Sequence, residues 1–409
     1  MTVDRCPKML QEVFRTIAPL LSRPQLKNLQ AMIVAGILMS TRGKLRHAAR
    51  ATQIAGHRTC LGHFLSHSDW DHVGVLRQMS LGALRWMKPV RGEELCLLID
   101  DTRIAKRGRQ FEGISKLWDH AHQKFAYGHM VVTAAVLFRG VVLPYRMVLW
   151  LPKDFAGADY RKTTEIAADI IRQFEPPAGL KVRVLFDAFY LCGPVTQACE
   201  SRGWTWFSVA AKNRTLKRDG RGKSGKLQDL AAGRLRYQSR SVRMKRAHGW
   251  RRMKLSRVDG RLSKIGQVRI VFSKRPGDPW KKILAVATNA TGLDERTIVA
   301  IYEKRWNIEV LFKELRDRLG LDGYQMQKLV GIERHLHVVC LTHLVLTHHS
   351  LRAAGAQARN TNTCVPQEPL SQRLETLRDQ IRHEQITRFV NRIKHPKIRR
   401  RVRDYLMTT

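Results

Sequence analysis

Three acidic residues in a strongly basic chain have the types and spacing to do chemistry. Asp101 follows the apolar segment 95–99, Asp187 follows the apolar segment 182–186, and Glu309 ends a Tyr-x2-Arg-x3-Glu pattern. Carboxylate oxygens are the ligands that hard divalent cations take, and two such cations can bridge a scissile phosphate. The three residues therefore predict a metal-dependent phosphoryl-transfer site.

The net charge indicates the partner. The chain has 74 Lys and Arg against 34 Asp and Glu, a formal net charge of +40. Lys and Arg release counterions when they neutralise phosphates, so nucleic acid is the expected partner. A ribosomal or chromatin-type packaging protein is the alternative. It fits less well, because 44% of the residues are hydrophobic and can fill a core, whereas packaging tails are poor in apolar residues.

Composition also disfavours secreted, membrane and zinc proteins. The chain does not open on a basic segment followed by an apolar one, so no secretory signal is indicated. The most apolar stretch, 130–151, is interrupted by Arg139-Gly140 and by Pro144, and predicts a strand hairpin better than a membrane span. The 7 cysteines include no C-x-x-C pair and indicate neither a zinc site nor a disulfide framework. We expect a cytoplasmic protein.

Residues 1–90 predict an N-terminal helical module. Apolar residues at helical spacing run through 26–38, 61–65 and 73–86. Its basic residues include Arg42, Lys44, Arg46, Arg50 and Arg58. They would make one side of a DNA-binding unit basic, and a solvated charged face explains them equally well.

Residues 91–211 predict the first part of an α/β core with a mixed sheet. Three strands in a meander come first, and helices then alternate with strands. The predicted elements are strands 95–100, 130–138 and 141–151, helix 163–174, strand 182–186, helix 195–201 and strand 204–210. This order matches the strand order of a ribonuclease H-like domain.

The rest of the chain divides into three further segments. Residues 212–282 are rich in glycine, Arg and Lys and predict a basic β-rich insertion whose exposed surface lies along nucleic acid. Residues 283–352 would complete the core, with Asp294 as the N-cap of the helix that carries the glutamate. Residues 353–409 predict a linker and a basic helical tail.

One continuous helix would bring the polar residues of this last core segment onto a single face. At 100° per residue, four of them fall within roughly a 60° sector: Tyr302, Arg305, Glu309 and Arg316. Glu309 would then offer oxygens to a metal, and Arg305 and Arg316 would hold phosphate oxygens. The Tyr302 hydroxyl would donate to the backbone of a bound strand. An exposed helix with an ordinary Arg305–Glu309 ion pair is the alternative, and the two strand-end aspartates favour the site.

These motifs resemble those of a known family. The pattern Tyr302-x2-Arg305-x3-Glu309-x6-Arg316 resembles the Y-x2-R-x3-E-x6-K signature of bacterial insertion-sequence transposases of the DDE class, in the branch that excises its element through DNA hairpins. The block from Asp101-Thr102 through Lys106-x-Gly108 to Gly113 is similar to that family's first-aspartate block, and Asp187 stands where the second aspartate is found. The resemblance covers about residues 25 to 350.

Two positions depart from the family pattern. The terminal lysine of the signature is Arg316 here, which keeps the cation but replaces a point donor with a planar fork. After Asp187 comes Ala188-Phe189-Tyr190, where the best-known members carry a more charged sequence. The phosphate contact is expected to persist, while the subgroup stays open.

Asp100 competes with Asp101 for the role of first ligand. Adjacent side chains of a strand point to opposite faces, so the pattern alone does not choose between them. The family's aspartate is the one directly before threonine. The resemblance therefore assigns Asp101 to the metal and leaves Asp100 a structural role.

The resemblance implies a DNA transposase acting on the element's terminal inverted repeats and on target DNA, as a homodimer in the synaptic complex, at the bacterial nucleoid. Two Mg²⁺ ions about 4 Å apart, for which Mn²⁺ would substitute, would be held by Asp101, Asp187 and Glu309. Nicking, hairpin formation, hairpin opening and strand transfer would follow. A ribonuclease H-like nuclease or junction-resolving enzyme without joining activity is one alternative. A catalytically inactive, transposase-derived DNA-binding protein is the other, and the three intact acids argue against it.

Two tryptophans and several histidines complete the candidates. Trp250 and Trp280 lie in the insertion, where one could stack a flipped base, as this branch does, or pack the insertion onto the core. Histidines occur in close pairs without a third ligand at metal spacing, and are expected to face solvent or to be satisfied core residues: His120, His122, His335, His337, His348 and His349.

Overall fold

The described strands form one mixed sheet that is covered by helices. The computed structural model of the protein describes residues 3–39, 45–119, 123–218, 224–246, 249–355, 364–365 and 368–393, with single positions at 359, 396, 398, 400, 402, 403 and 405. The strands are β1 Glu94–Ala105, β2 Ser115–Asp119, β3 Lys124–Phe138, β4 Val141–Trp150, β5 Lys181–Phe186, β6 Thr205–Val209, β7 Thr215–Arg218, β8 Gly225–Lys226, β9 Arg240–Arg246, β10 Gly249–Leu262, β11 Gly266–Lys274 and β12 Leu284–Thr288.

The helices lie before the sheet, between its strands and after it. They are α1 Lys8–Arg15, α2 Arg23–Leu38, α3 Leu45–Ala51, α4 Arg58–Ser66, α5 His72–Trp86, α6 Lys153–Ala156, α7 Thr163–Gln173, α8 Gly193–Glu200, α9 Leu227–Tyr237, α10 Glu295–Glu303, α11 Trp306–Asp317, α12 Leu329–Ala354 and α13 Leu370–Asn391. Asp294 caps α10 as predicted, because its side chain accepts a hydrogen bond from the Thr297 backbone N–H.

The core sheet has the ribonuclease H-like arrangement that the sequence predicted. Its strands lie in the order β4-β3-β1-β5-β6, in which β1, β5 and β6 are parallel and β3 is antiparallel to both of its neighbours. The hairpin between β3 and β4 turns at Arg139 and Gly140, whose φ angles of 47° and 83° are those of a tight hairpin turn. The predicted strand hairpin is thus confirmed.

The basic insertion continues this sheet. β12 pairs antiparallel with β6 and with β11, β11 pairs with β10, and β10 pairs with β9 and β7. The segment also contains α9, which the sequence did not predict and which buries Leu227, Ala231 and Leu235. The predicted β-rich character is observed, with one helix added.

α12 is the helix on which the other layers pack. Its 26 residues contact α1, α2, α4 and α5 on one side and β4, α11 and α13 on others. By length and composition it could cross a membrane, but 83% of its most apolar window is buried inside the protein. A helix that is apolar all round belongs in the core of a large protein, which is where α12 lies.

Polar contacts tie the C-terminal helix to the N-terminal ones. Arg378 of α13 donates to the carbonyl oxygens of Ile37 and Met39 at the end of α2, at 2.6 and 2.8 Å. The Glu384 carboxylate accepts a hydrogen bond from the Lys8 backbone N–H at the start of α1. Helix ends carry unpaired backbone groups that such side chains satisfy. The segment predicted as a basic tail thus contains a docked helix.

The basic side predicted for the N-terminal module is described only in part. Arg50 and Arg58 are exposed. Arg42 and Lys44 lie outside the described residues, and the side chain of Arg46 is not described. The DNA-binding role of this module remains a prediction.

Two predicted elements differ in extent from the structure. β1 continues to Ala105, because β3 pairs with it well past the end of the parallel pairing with β5. Asp101 therefore lies within a strand. The continuous helix predicted after Asp294 is instead two helices, α10 and α11, joined by tight turns in which Arg305 N bonds Tyr302 O and Ile308 N bonds Arg305 O.

A substitution at Leu344 tests how much the stability of the protein depends on the packing of α12. Its side chain is fully buried, so Leu344→Ala is expected to lower the free energy of unfolding by about 2–5 kcal/mol through lost burial and a residual cavity. Urea denaturation measures the change. Leu20→Ala, at a position 46% exposed, is the matched control, with an expected change of about 0.5 kcal/mol or less. Equal small changes in both variants would refute the central place of α12.

Candidate active site

The two aspartate positions meet where the parallel pairing of β1 and β5 ends. Ile99 lies opposite Phe186 in the register of these strands, and Asp100 and Asp187 are the next residues along each. Strands that run parallel in neighbouring positions bring their carboxyl ends to the same edge of the sheet. The register therefore places Asp100 and Asp187 at one edge of the sheet, with Asp101 the next residue along β1.

A cavity of about 700 Å³ opens beside this edge. Both aspartates of β1 line it, and α11 contributes Glu309 and Arg316 to the opposite wall. Other polar lining residues are Arg103, Lys313, Asp317 and Asp322. Acidic oxygens and cationic side chains thus face one another across a space large enough for a phosphate and its neighbours.

Asp101 and Asp187 are held by the loop that follows β5. The Tyr190 hydroxyl donates to Asp101 Oδ2 at 3.0 Å. Asp187 Oδ1 accepts the backbone N–H groups of Phe189 and Tyr190, at 2.9 and 3.3 Å, so its side chain closes a turn of its own loop. Among the described residues, the hydrogen-bond partners of both carboxylates are neutral groups, and neither carboxylate forms an ion pair.

Asp100 and Glu309 share one cation. Arg305 Nη1 donates to Asp100 Oδ2 at 2.8 Å, and Arg305 Nη2 donates to Glu309 Oε1. The side chains of Arg305 and Asp100 are each 15% exposed. Arg305 therefore links β1 to the start of α11 and neutralises carboxylates on both.

The pKa values of the two β1 aspartates are raised. Burial raises the pKa of Asp100 to about 7, with the Arg305 charge opposing and the Asp187 charge adding to the rise. Burial also raises the pKa of Asp101. The hydrogen bond from Tyr190 lowers this pKa, and the nearby charge of Asp187 raises it further. Like charges that are confined together disfavour ionisation, and a bound cation relieves that strain.

The other two residues of the predicted signature are close to the site and engaged. Tyr302 is 8% exposed. Burial raises the pKa of its hydroxyl, while the charge of Arg305 and a hydrogen bond that the hydroxyl oxygen accepts from Arg305 lower it. Arg316 donates to Thr102 Oγ1 and, at 2.8 Å, to the Arg103 carbonyl oxygen. Both side chains thus have hydrogen-bond partners within the protein.

Lys106, from the first-aspartate block, fastens the segment after α11. Its Nζ donates to the carbonyl oxygens of Asp322 and Tyr324, each at 2.8 Å. Burial lowers the pKa of this lysine to about 8. Lys106 thus fixes the segment that brings Asp322 to the cavity wall.

The donor chemistry of the site fits a divalent cation, while its present arrangement does not preassemble one. Asp101, Asp187 and Glu309 offer only oxygen atoms, which hard cations prefer. Across the part of the chain that the structure describes, no three acidic, His or Cys side chains are grouped closely enough to hold a metal ion. Arg305 occupies Oε1 of Glu309, so a cation either displaces Arg305 or binds through Oε2 while that hydrogen bond persists.

Tyr190 is a residue of the site that sequence reasoning missed. The chain offers a signal, since Tyr190 follows Asp187 by three positions, but only the turn of the loop brings its hydroxyl to Asp101. Asp322 was missed as well, because the fold of the segment after α11 sets its position.

The structure describes some of the histidines and both of the tryptophans that the sequence analysis singled out. His335, His337 and His348 belong to the buried helix α12, and burial lowers the pKa of each. These are core histidines, but His337 Nε2 and His348 Nδ1 are buried without a hydrogen-bond partner, so the expectation of satisfied core histidines holds only in part. His120 and His122 lie outside the described residues. Trp250 and Trp280 are 55% and 48% exposed, so about half of each side chain is open to solvent.

The raised pKa of Asp100 predicts a pH dependence of stability in the metal-free protein. Between the ordinary value of 3.8 and about 7, folded Asp100 holds a proton that the unfolded chain releases. The free energy of unfolding therefore falls as the pH rises through this range. Asp100→Asn is expected to flatten that fall, as measured by denaturation in EDTA from pH 4 to 8. Asp229→Asn, at an exposed position, is the control; a wild-type slope in Asp100→Asn would contradict the assignment.

The chain resembles a curated transposase over part of its length. It is 30% identical over 133 residues to a probable transposase for insertion sequence element IS701 from Microchaete diplosiphon. The matched region is 32% of this chain and 34% of the relative, so the chain spans about a third of the length of the curated relative that it matches.

A family match covers a larger part of the chain. The model of the DDE superfamily endonucleases matches residues 17–269. The match includes both aspartate positions of the site and ends before Glu309. Because it extends over more than half of the 409 residues, the chain belongs to the DDE superfamily endonuclease family.

Proposed function

We propose that this protein is an insertion-sequence DNA transposase that cleaves element ends and joins them to target DNA by divalent-metal-dependent phosphoryl transfer. The observation that supports the proposal is the position of Asp101 and Asp187 at the edge where the parallel strands β1 and β5 stop pairing, with Glu309 of α11 lining the same cavity as Asp101. This site lies in a chain with a formal net charge of +40. Membership in an endonuclease family and the IS701 relative support it.

In this proposal the carboxylates hold two Mg²⁺ ions, for which Mn²⁺ substitutes. Asp101 is preferred over Asp100 because its hydrogen-bond partner is a neutral hydroxyl, whereas Asp100 is already neutralised by Arg305. When bound, such ions activate a water or a 3′-hydroxyl and stabilise the leaving oxygen in an in-line displacement. Asp187 and Glu309 complete the ligand set from β5 and α11.

The cationic residues of α11 would hold the scissile strand. The guanidinium of Arg305 donates in a planar fork that suits phosphate oxygens as well as carboxylates. Arg316 lines the cavity from about three turns further along the helix. Tyr302, beside Arg305, would contact the strand backbone. A phosphate that takes over Arg305 would also free Glu309 for the metal.

The insertion supplies a second, cationic surface for duplex DNA. On the β9–β10 ribbon, exposed Arg243 lies directly opposite exposed Arg252, and Lys217 of β7 lies opposite Arg261. Like charges in directly opposed positions destabilise a sheet. A phosphate backbone along the ribbon would remove that repulsion and release counterions.

The partners and location follow from this role. The proposed substrates are the element's terminal inverted repeats and target DNA, and two copies of the chain would synapse two ends. The family and the buried, non-membrane packing of α12 agree with a cytoplasmic protein that acts on the bacterial nucleoid. Exposed Trp250, which lies 5.9 Å from the Arg243 guanidinium, and Trp280 are available to stack a flipped base.

A nuclease without joining activity is the second candidate, because family membership alone establishes an endonuclease. The deciding experiment incubates the purified protein with Mg²⁺ and DNA that carries the element's own ends, and resolves the products on a denaturing gel. Joined products or hairpins at those ends would support transposition. Nicks without joining would support the nuclease, and binding without cleavage would indicate an inactive DNA-binding descendant.

Glu309→Gln separates catalysis from binding. The substitution removes a metal-binding charge and none of the cationic side chains, so strand cleavage is expected to be abolished while the Kd for end DNA stays within about twofold. Gel cleavage and fluorescence anisotropy measure the two quantities. Glu303→Gln, on the preceding helix, is the matched control and should cleave normally. Loss of DNA binding in Glu309→Gln to the same extent as cleavage would refute the role.

The ribbon's part in DNA binding is tested by salt dependence. Arg243→Ala and Arg252→Ala are each expected to weaken binding to any duplex and to reduce the slope of log Kd against log salt by about 1. Arg161→Ala, at an exposed position ion-paired to Asp169, is the control and should leave the slope unchanged. An unchanged slope in both ribbon variants would show that the DNA lies elsewhere.

A further inference from the structure

A polar cluster lies on the side of α11 that faces away from the cavity. The Glu314 carboxylate Oε2 is 3.2 Å from His343 Nε2 of α12 and 3.7 Å from Arg373 Nη2 of α13. Arg373 Nη1 also donates to Thr347 Oγ1 of α12 at 2.9 Å. Three helices are thus joined at Glu314.

This cluster is buried, and its charges are matched. The side chain of Arg373 is 6% exposed and that of His343 is 2% exposed. Burial alone would raise the pKa of Glu314. The pKa is nevertheless lowered below its usual range, because Glu314 accepts hydrogen bonds from His343 and from the Leu370 backbone and lies near the charge of Arg373. Burial lowers the pKa of His343, with Glu314 opposing. The cluster is therefore an ionised Glu–Arg pair with a neutral imidazole donor.

A buried ion pair of this kind contributes more to the relative orientation of the helices than to the free energy of unfolding. Its desolvation cost roughly cancels its Coulomb attraction, and an apolar replacement is often as stable. What an ion pair adds is direction, since its hydrogen bonds fix the orientation of the helices that carry it. Glu314 is five positions after Glu309, so the two carboxylates point roughly 140° apart on α11.

α11 needs such an external restraint. It begins at Trp306 without a side-chain cap and follows the tight turns that separate it from α10. The apolar residues Ile308, Leu311 and Leu315 hold it against the protein, and Arg316 donates a hydrogen bond to β1 near the end of the helix. Hydrophobic contacts are non-directional, so the polar contacts on the two sides of α11 together set its rotation about the axis. Glu309 lies on this helix, and displacements of about 1 Å at a catalytic group can cost 10²-fold in rate.

We propose that Arg373 and His343 are positioning residues that act through Glu314 to set the rotation of α11, and so hold Glu309 where it can bind a divalent cation. This inference rests on the proposed function, since it concerns the same metal site. It gives the C-terminal helix α13 a part in catalysis without contact with DNA or metal.

The test compares two arginines of α13. Arg373→Met replaces the buried cation with an apolar side chain, and Arg373→Lys keeps a cation. Arg378→Met is the matched control, because Arg378 also anchors α13, but to the end of α2 and not to α11. For each variant we would measure the melting temperature, the Kd for end DNA, the binding of Mn²⁺ by electron paramagnetic resonance, and the cleavage rate at saturating DNA.

We expect Arg373→Met to weaken Mn²⁺ binding and to slow cleavage at saturating DNA by about 10-fold or more, as is typical of residues that orient metal ligands. The Kd for end DNA should stay within about twofold. Arg373→Lys should recover most of the loss, and Arg378→Met should bind Mn²⁺ like the wild type even if it melts at a lower temperature.

Three results would overturn the inference. Arg373→Met could melt earlier yet bind Mn²⁺ normally, Arg378→Met could lose Mn²⁺ affinity to the same extent, or Arg373→Lys could fail to recover. If Arg373→Met does not fold, Glu314→Gln and His343→Gln give the same readout with smaller changes. A wild-type protein that binds Mn²⁺ but neither cleaves nor joins would overturn the proposed function, while the Mn²⁺ comparison would still decide the inference.

Discussion

The site is organised around the bridge that Arg305 makes between Asp100 and Glu309. Four carboxylates are brought to one end of the sheet, where burial and mutual repulsion raise the pKa of both β1 aspartates. Arg305 relieves part of this repulsion and at the same time ties α11 to β1. The bridge occupies one oxygen of Asp100 and one of Glu309. In the proposed function a cation competes with Arg305 for these carboxylates and a phosphate competes with the carboxylates for Arg305, so the two binding events are connected.

The rest of the fold brings the two sides of this bridge together. The parallel pairing of β1 with β5 sets the aspartates at one edge, and the tight turns before α11 aim Glu309 at them. Behind α11, the buried helix α12 and the docked helix α13 restrain its position through Glu314. The insertion extends the same sheet and carries its cationic ribbon away from the cavity. In the proposed function, the catalytic site and the DNA-binding ribbon are therefore parts of one continuous sheet.

Much of this could be predicted from residue patterns, and the remainder depends on tertiary contacts. Strand-end aspartates and the order of strands predicted the core sheet, since apolar runs and their connections are local signals. The helix break at Arg305 was missed because 302–316 keeps a helical period across it. Tyr190 and Arg373 were missed because their partners are distant in sequence, 89 and 59 positions away for Asp101 and Glu314. Spacing also gave no choice between Asp100 and Asp101, whereas their partners distinguish them.

The most direct measurement is an anomalous-scattering crystal structure of the protein with Mn²⁺ and a duplex that carries an element end. We expect Mn²⁺ coordinated by Asp101, Asp187 and Glu309, with Arg305 released from Glu309 and placed on a phosphate. Mn²⁺ held by Asp100 while Glu309 remains paired with Arg305, or no Mn²⁺ at this edge of the sheet, would contradict the assignment of the site.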